Sequence, residues 1–150
     1  LCTYNDLNST SMLALNIKSD GISEKVKFYL EKHKIVNYFT FDMSVPDFLA
    51  YKKNNLDVFC RASEFEDPKL LQGLTNGLWL DSFSTSYYED MDLSLFLTEW
   101  SKIAIVSPEL HGFDKDIFWS KLRKLVTSVN NKFIYLCTDF PDLAKEYFNE

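Results

Sequence analysis

With 150 residues, 46% of them hydrophobic and 16% aromatic, the chain has the composition of one folded domain and not of a disordered segment. A net charge of −6 argues against a nucleic-acid or anionic-membrane surface, which needs clustered Lys and Arg. No apolar run reaches the roughly 20 residues of a membrane span.

The N-terminal run LCTYNDLNST has neither the basic nor the apolar region of a signal peptide, and it lacks Met. The chain is therefore expected to be processed, or a piece of something longer. The first strand is predicted over Leu13–Ile17, ending Asn16-Ile17-Lys18. A helical stripe follows through Ile22, Val26, Tyr29 and Leu30, its start marked by Ser23 and Glu24. His33, in EKHK, falls near the helix C-terminus, where an imidazole suits the dipole.

Tyr38–Phe41 reads as the second strand and runs into Asp42-Met43-Ser44. Pro46 marks a first helical turn, because its missing N–H has no partner there anyway; Phe48, Leu49 and Lys52 share the next stripe. The third strand, Val58–Cys60, ends in Arg61, with Ser63, Glu64 and Glu66 just beyond. Phe65–Leu74 reads as a loop with one helical turn. The fourth strand, Gly77–Leu80, contains Trp79 and ends in Asp81.

Leu93, Phe96, Leu97 and Trp100 make a further helix. The fifth strand, Ile103–Val106, climbs into SPELHG, which carries Glu109 and His111. The clearest helix holds Ile117, Phe118, Lys121, Leu122, Leu125 and Val126, with the basic Lys121–Lys124 cluster on its solvated face. The sixth strand, Phe133–Leu136, ends Cys137-Thr138-Asp139. Phe140-Pro141-Asp142 then starts a last helix through Leu143, Ala144, Tyr147 and Phe148.

Six βα units in one domain predict a parallel α/β sheet covered on both faces. Two architectures compete: an incomplete (β/α)8 barrel and an open doubly wound sheet. All six strands end in charged or hydrogen-bonding residues. A barrel would bring such ends to one mouth, whereas an open sheet needs them only at its switch point. Exposed loops also end strands in polar residues, so a plain polar rim stays open.

The residue types suggest particular roles. Lys18 suits either an anionic oxygen or a rim salt bridge. Arg61 pairs with Glu64 or grips a phosphate in bidentate fashion. Glu109 and His111, two apart, share a face if the chain is extended, as a general acid, a metal ligand or a loop-stabilising pair. Trp79 belongs to the core or lines the mouth. Cys2, Cys60 and Cys137 form no CxxC pair. Cys60 and Cys137 sit in apolar runs and read as buried, reduced thiols, which points to the cytoplasm. The sequence has no GxGxxG, no P-loop, no GxSxG and no zinc spacing.

The ordered runs LALNIKSDG, NYFTFDMSVPD, VFCRASEFE, GLWLDSF, IAIVSPELHG and YLCTDFPDLAKEYF resemble the glycerophosphodiester phosphodiesterase-like barrels of the phospholipase-C-like group. The resemblance covers about Leu13 to Phe148 and matches the third to eighth units of a (β/α)8 barrel. It implies hydrolysis of a small phosphodiester with a divalent cation, Mg or Ca, and a small phosphate ester as ligand. The family's His-Arg-Gly strand, Glu-Asn pair and Glu-x-Asp strand have no counterpart here, so this chain alone is expected to be inactive or a non-catalytic binding module for phosphate esters or sugar phosphates. The family's Glu-x-Lys strand reads Asn16-Ile17-Lys18. Lys18 matches the lysine that faces phosphate; Asn16 falls at a metal position, as a neutral donor. Asp42, Arg61, Glu64, Trp79 and Asp81 would shape the substrate-binding mouth, and Glu109 and His111 would line it with proton-transfer roles. Open sheet edges would favour self-association.

Overall fold

The computed structural model describes residues 11–84, 88, 92–128 and 133–149. Cys2 and the N-terminal run lie outside the described residues. Among those described, six strands alternate with five α-helices: β1 (Leu13–Asn16), α1 (Ser23–Lys32), β2 (Tyr38–Phe41), α2 (Val45–Lys53), β3 (Phe59–Ala62), β4 (Gly77–Leu80), α3 (Leu93–Glu99), β5 (Lys102–Val106), α4 (Asp116–Ser128), β6 (Phe133–Cys137) and α5 (Pro141–Asn149). Single 3₁₀ turns lie at Pro68–Leu71 and Pro108–His111. The fold is thus α/β with parallel βα units, as the alternation of apolar runs predicts.

The strands form two parallel sheets, β1-β2 and β3-β4-β5-β6. Backbone contacts divide the chain into two compact units, residues 1–60 with 71–76 and residues 61–70 with 77–150.

In the first unit, β1 pairs with β2 from Leu13↔Tyr38 to Asn16↔Phe41. Thr40 also bridges Val58, so the strand expected at Val58 begins one residue later, at Phe59. Phe39 and Phe59 stack nearly parallel, with centroids 4.0 Å apart. Both helix starts fall where the sequence marks them. Ser23 does not cap α1; it is the first helical residue, is buried, and accepts from Asn54 Nδ2 at 3.0 Å. Ser44 caps α2 by accepting from the Asp47 N–H, with Pro46 in the first turn. In that helix Tyr51 is fully buried, and neither its hydroxyl nor Asp47 Oδ2 has a hydrogen-bond partner among the described residues. Burial, then the charges of Asp47 and Asp20, push the Tyr51 phenol up to about 12.

In the second unit, β4, β5 and β6 run in parallel register, Leu78↔Ile103 and Ile103↔Ile134. All four residues of β4 and the last four of β5 are buried, as central parallel strands require. Leu93, Leu97, Phe118, Trp119 and Leu122 from α3 and α4 complete the core. Each of these large side chains stabilises the fold by about 1.5–3 kcal/mol. The edge strand β6 is only half-covered. Cys137, expected to be buried like Cys60, lies on that edge and is partly exposed for this reason. Among the described residues no helix is long and apolar enough to cross a membrane.

Candidate functional site

In a parallel sheet every strand delivers its last residues to the same end. In the second unit, that end gathers Arg61 near the end of β3, Asp81 after β4, Glu109 and His111 after β5, and Thr138 after β6. The centre of the cluster is a pair: His111 Nε2 lies 2.8 Å from Asp81 Oδ1. Asp81 is buried, and its carboxylate is turned by the Ser82 N–H at 2.9 Å. His111 is partly exposed. With Nε2–H donating to Asp81, Nδ1 is left as a proton acceptor. A buried carboxylate behind an imidazole fixes the ring's tautomer and orientation.

Phe83 ties this pair to Arg61. Its ring meets His111 edge-on at 5.0 Å, and the guanidinium lies 6.0 Å from the same ring. Arg61 does not pair with Glu64, the partner its sequence neighbourhood suggests. Its Nε and Nη2 donate to Glu66, which also accepts from Ser63 Oγ. The reason is local: an antiparallel bridge between Ser63 and Glu66 folds the loop back, bringing Glu66 to the arginine. Glu64 instead accepts the Phe83 N–H at 2.9 Å. Its slight burial acts upward, but the N–H groups of Glu64 and Phe83 and the bonds from Ser84 outweigh it and lower its pKa.

Glu109 and His111 diverge rather than sharing a face, because SPELHG is a 3₁₀ turn and not extended chain. Gly112 closes that turn at φ +79°, a conformation glycine adopts without a Cβ penalty. Glu109 accepts from Ser107 Oγ, Thr138 Oγ1 and the Asp139 N–H. Burial would raise its pKa, yet these bonds together lower it. Ser107 Oγ in turn accepts from Trp119 Nε1 at 2.7 Å. Glu109 is therefore an ionised clamp between the loops after β5 and β6. Trp79 is buried in β4, on the same strand face as Asp81 two residues on. A cavity of about 150 Å³ shares the loops after β4 and β5; Ser82, Tyr88, Pro108, Phe113 and Phe118 line it.

The remaining sequence candidates belong to the first unit. Lys18 ion-pairs with Asp42, its side chain 71% exposed. Asp42 holds a positive φ of 73° at the end of β2, a conformation that Asp tolerates better than most residues. Asn16 is exposed at the end of β1. The divalent cation implied by the resemblance does not fit these donors. A hard cation takes six or more oxygens, carboxylates among them. Asn16 is neutral, Asp42 is engaged by Lys18, and no group of three His, Cys, Asp or Glu able to hold a metal occurs among the described residues.

Sequence reasoning missed Phe83, which holds Arg61 and His111 to one ring, and Trp119, which fixes Ser107. Phe83 closes the GLWLDSF run, so its nearness to the strand end was visible. Nothing in the chain signals that an indole twelve residues away would reach Ser107. Comparison with family models, curated proteins and solved structures finds no match to this chain.

Proposed function

We propose that this chain is a phosphodiesterase-like domain, part of a (β/α)8 barrel, whose strand-end face binds a small phosphate ester of the glycerophosphodiester type without hydrolysing it. The observation that carries this reading is the His111–Asp81 pair at 2.8 Å, formed between the segments that follow the adjacent parallel strands β4 and β5. His111 offers the ester an imidazole whose orientation the buried Asp81 carboxylate fixes. The neighbouring carboxylates are each engaged: Glu66 by Arg61, Glu64 by a backbone N–H, Glu109 by two hydroxyls. They shape the loops, and the ligand meets His111 and the edge of Phe83.

Hydrolysis of a phosphodiester by two histidines needs a second imidazole beside the first. The sequence holds only His33 and His111. His33 sits at the C-cap of α1, in the first unit, stacked on Tyr29. Among the described residues of the second unit no second imidazole stands beside His111, and we read the face as one that binds.

Isothermal titration with glycerol 3-phosphate and glycerophosphocholine tests this. Binding of each ester is expected, and His111→Ala should remove it. No release of glycerol phosphate is expected. Binding unaffected by His111→Ala, or turnover abolished by Lys18→Ala, would each overturn the reading.

A further inference from the structure

We propose that the cavity of about 150 Å³ between the loops after β4 and β5 and the start of α4 binds one small, neutral aromatic molecule. The site is separate from the phosphate-ester reading and stands without it.

Three rings and a proline form the walls. Tyr88 is buried, and its hydroxyl donates to the Val106 carbonyl at 2.6 Å, with the Leu80 carbonyl at 3.2 Å. The ring is thereby pinned across the ends of β4 and β5. It stacks on Phe118 of α4 with centroids 4.5 Å apart. Phe113 follows Gly112, whose left-handed backbone turns the chain so that the Phe113 N–H meets the Pro108 carbonyl at 3.1 Å. Pro108 itself lines the cavity, and the exposed Ile117 forms its lip. Hydrogen bonds and packing hold these walls, so the cavity exists before any ligand arrives.

The polar groups around it are already engaged. Ser82 Oγ donates to the Ser84 carbonyl, and the Ser84 side chain bonds Glu64. Asp114 Oδ1 accepts the Asp116 N–H, and Lys121 Nζ donates to the Tyr88 carbonyl. No buried side-chain nitrogen or oxygen of these residues lacks a partner among the described residues. A charged ligand would give up its water for groups already committed to one another. A neutral ring gives up little and gains dispersion contact with three rings. Size sets the limit: an apolar cavity of about 150 Å³ takes up a benzene-sized molecule.

Fluorine NMR of fluorobenzene with the 150-residue chain tests the proposal. Saturable line broadening is expected, with one molecule bound per chain. 1-Fluoronaphthalene, larger and more apolar, should bind more weakly, because a cavity sized for one ring does not admit two. Phe113→Ala should weaken fluorobenzene about tenfold, as expected for losing one aromatic contact. Phe140→Ala, which removes an exposed ring that does not line the cavity, should leave it unchanged. Tighter binding of the naphthalene would mean adsorption on an open apolar surface and overturns the proposal. So does equal loss from both Phe variants, or no binding by the native chain. Loss of fluorobenzene in His111→Ala would move the ring to the strand-end face and also overturns it. Should Phe113→Ala fail to fold, the order of the two ligands on the native chain still decides.

Discussion

Glu109→Gln isolates the clamp that joins two strand-end loops. The native carboxylate accepts from Ser107 Oγ, Thr138 Oγ1 and the Asp139 N–H. The Ser107 proton has to point at Glu109, because its oxygen already accepts from Trp119. Glutamine keeps one acceptor oxygen and turns two N–H donors toward a site built of donors. Hydrogen bonds to an ionised group are worth about 1.5–3 kcal/mol, against about 1 kcal/mol for neutral ones. With the side chain only part-buried, solvent screening discounts the difference. The expected loss is about 1–2 kcal/mol at pH 7. The pH dependence carries a sign. The folded-state pKa of Glu109 lies below its ordinary value, so its contribution is complete above about pH 4.3, the value for an unfolded Glu, and is lost as pH falls through the lower folded value. Urea unfolding of both proteins at pH 7 and at pH 3 measures this. The gap in midpoint, at constant m, should narrow at pH 3. An equal gap at both pH values would refute the electrostatic account.

Two other substitutions test the backbone and the core. Tyr51→Phe should leave stability unchanged or raise it by about 1 kcal/mol in urea melts, because the hydroxyl it removes is buried and without a partner; a loss above about 1 kcal/mol would show that the hydroxyl is satisfied by water. Gly112→Ala should cost about 1 kcal/mol from its positive φ alone, since a Cβ there meets nothing within 4 Å; a much larger cost in thermal melts would mean that the SPELHG turn is packed more tightly than described.

The order of strands and helices was legible because near-continuous apolar runs separated by helical stripes have few other solutions. Boundaries moved by a residue or two where bridges end, as at Val58. The candidates of the second unit were legible as strand-end residues but not in their pairings. Arg61 could be placed at a strand end, yet its choice of Glu66 over Glu64 depends on a reversed loop that no periodicity encodes. Glu109 and His111 were assigned one face by assuming extended chain, and a Pro-initiated 3₁₀ turn sends them to different partners. Pairings of this kind span 29 and 30 residues, Glu109 to Thr138 and His111 to Asp81. Such distances are set by strand register, which local sequence does not report.

The bond from Trp119 to Ser107 makes the strand-end face optically visible from within. All three tryptophans are buried, but this indole stands one hydroxyl away from Glu109. A proton arriving at that carboxylate frees the serine to rotate, and the field on the indole changes with it. The protein thus carries its own fluorescent probe of the loop that presents His111, without any label added to the surface.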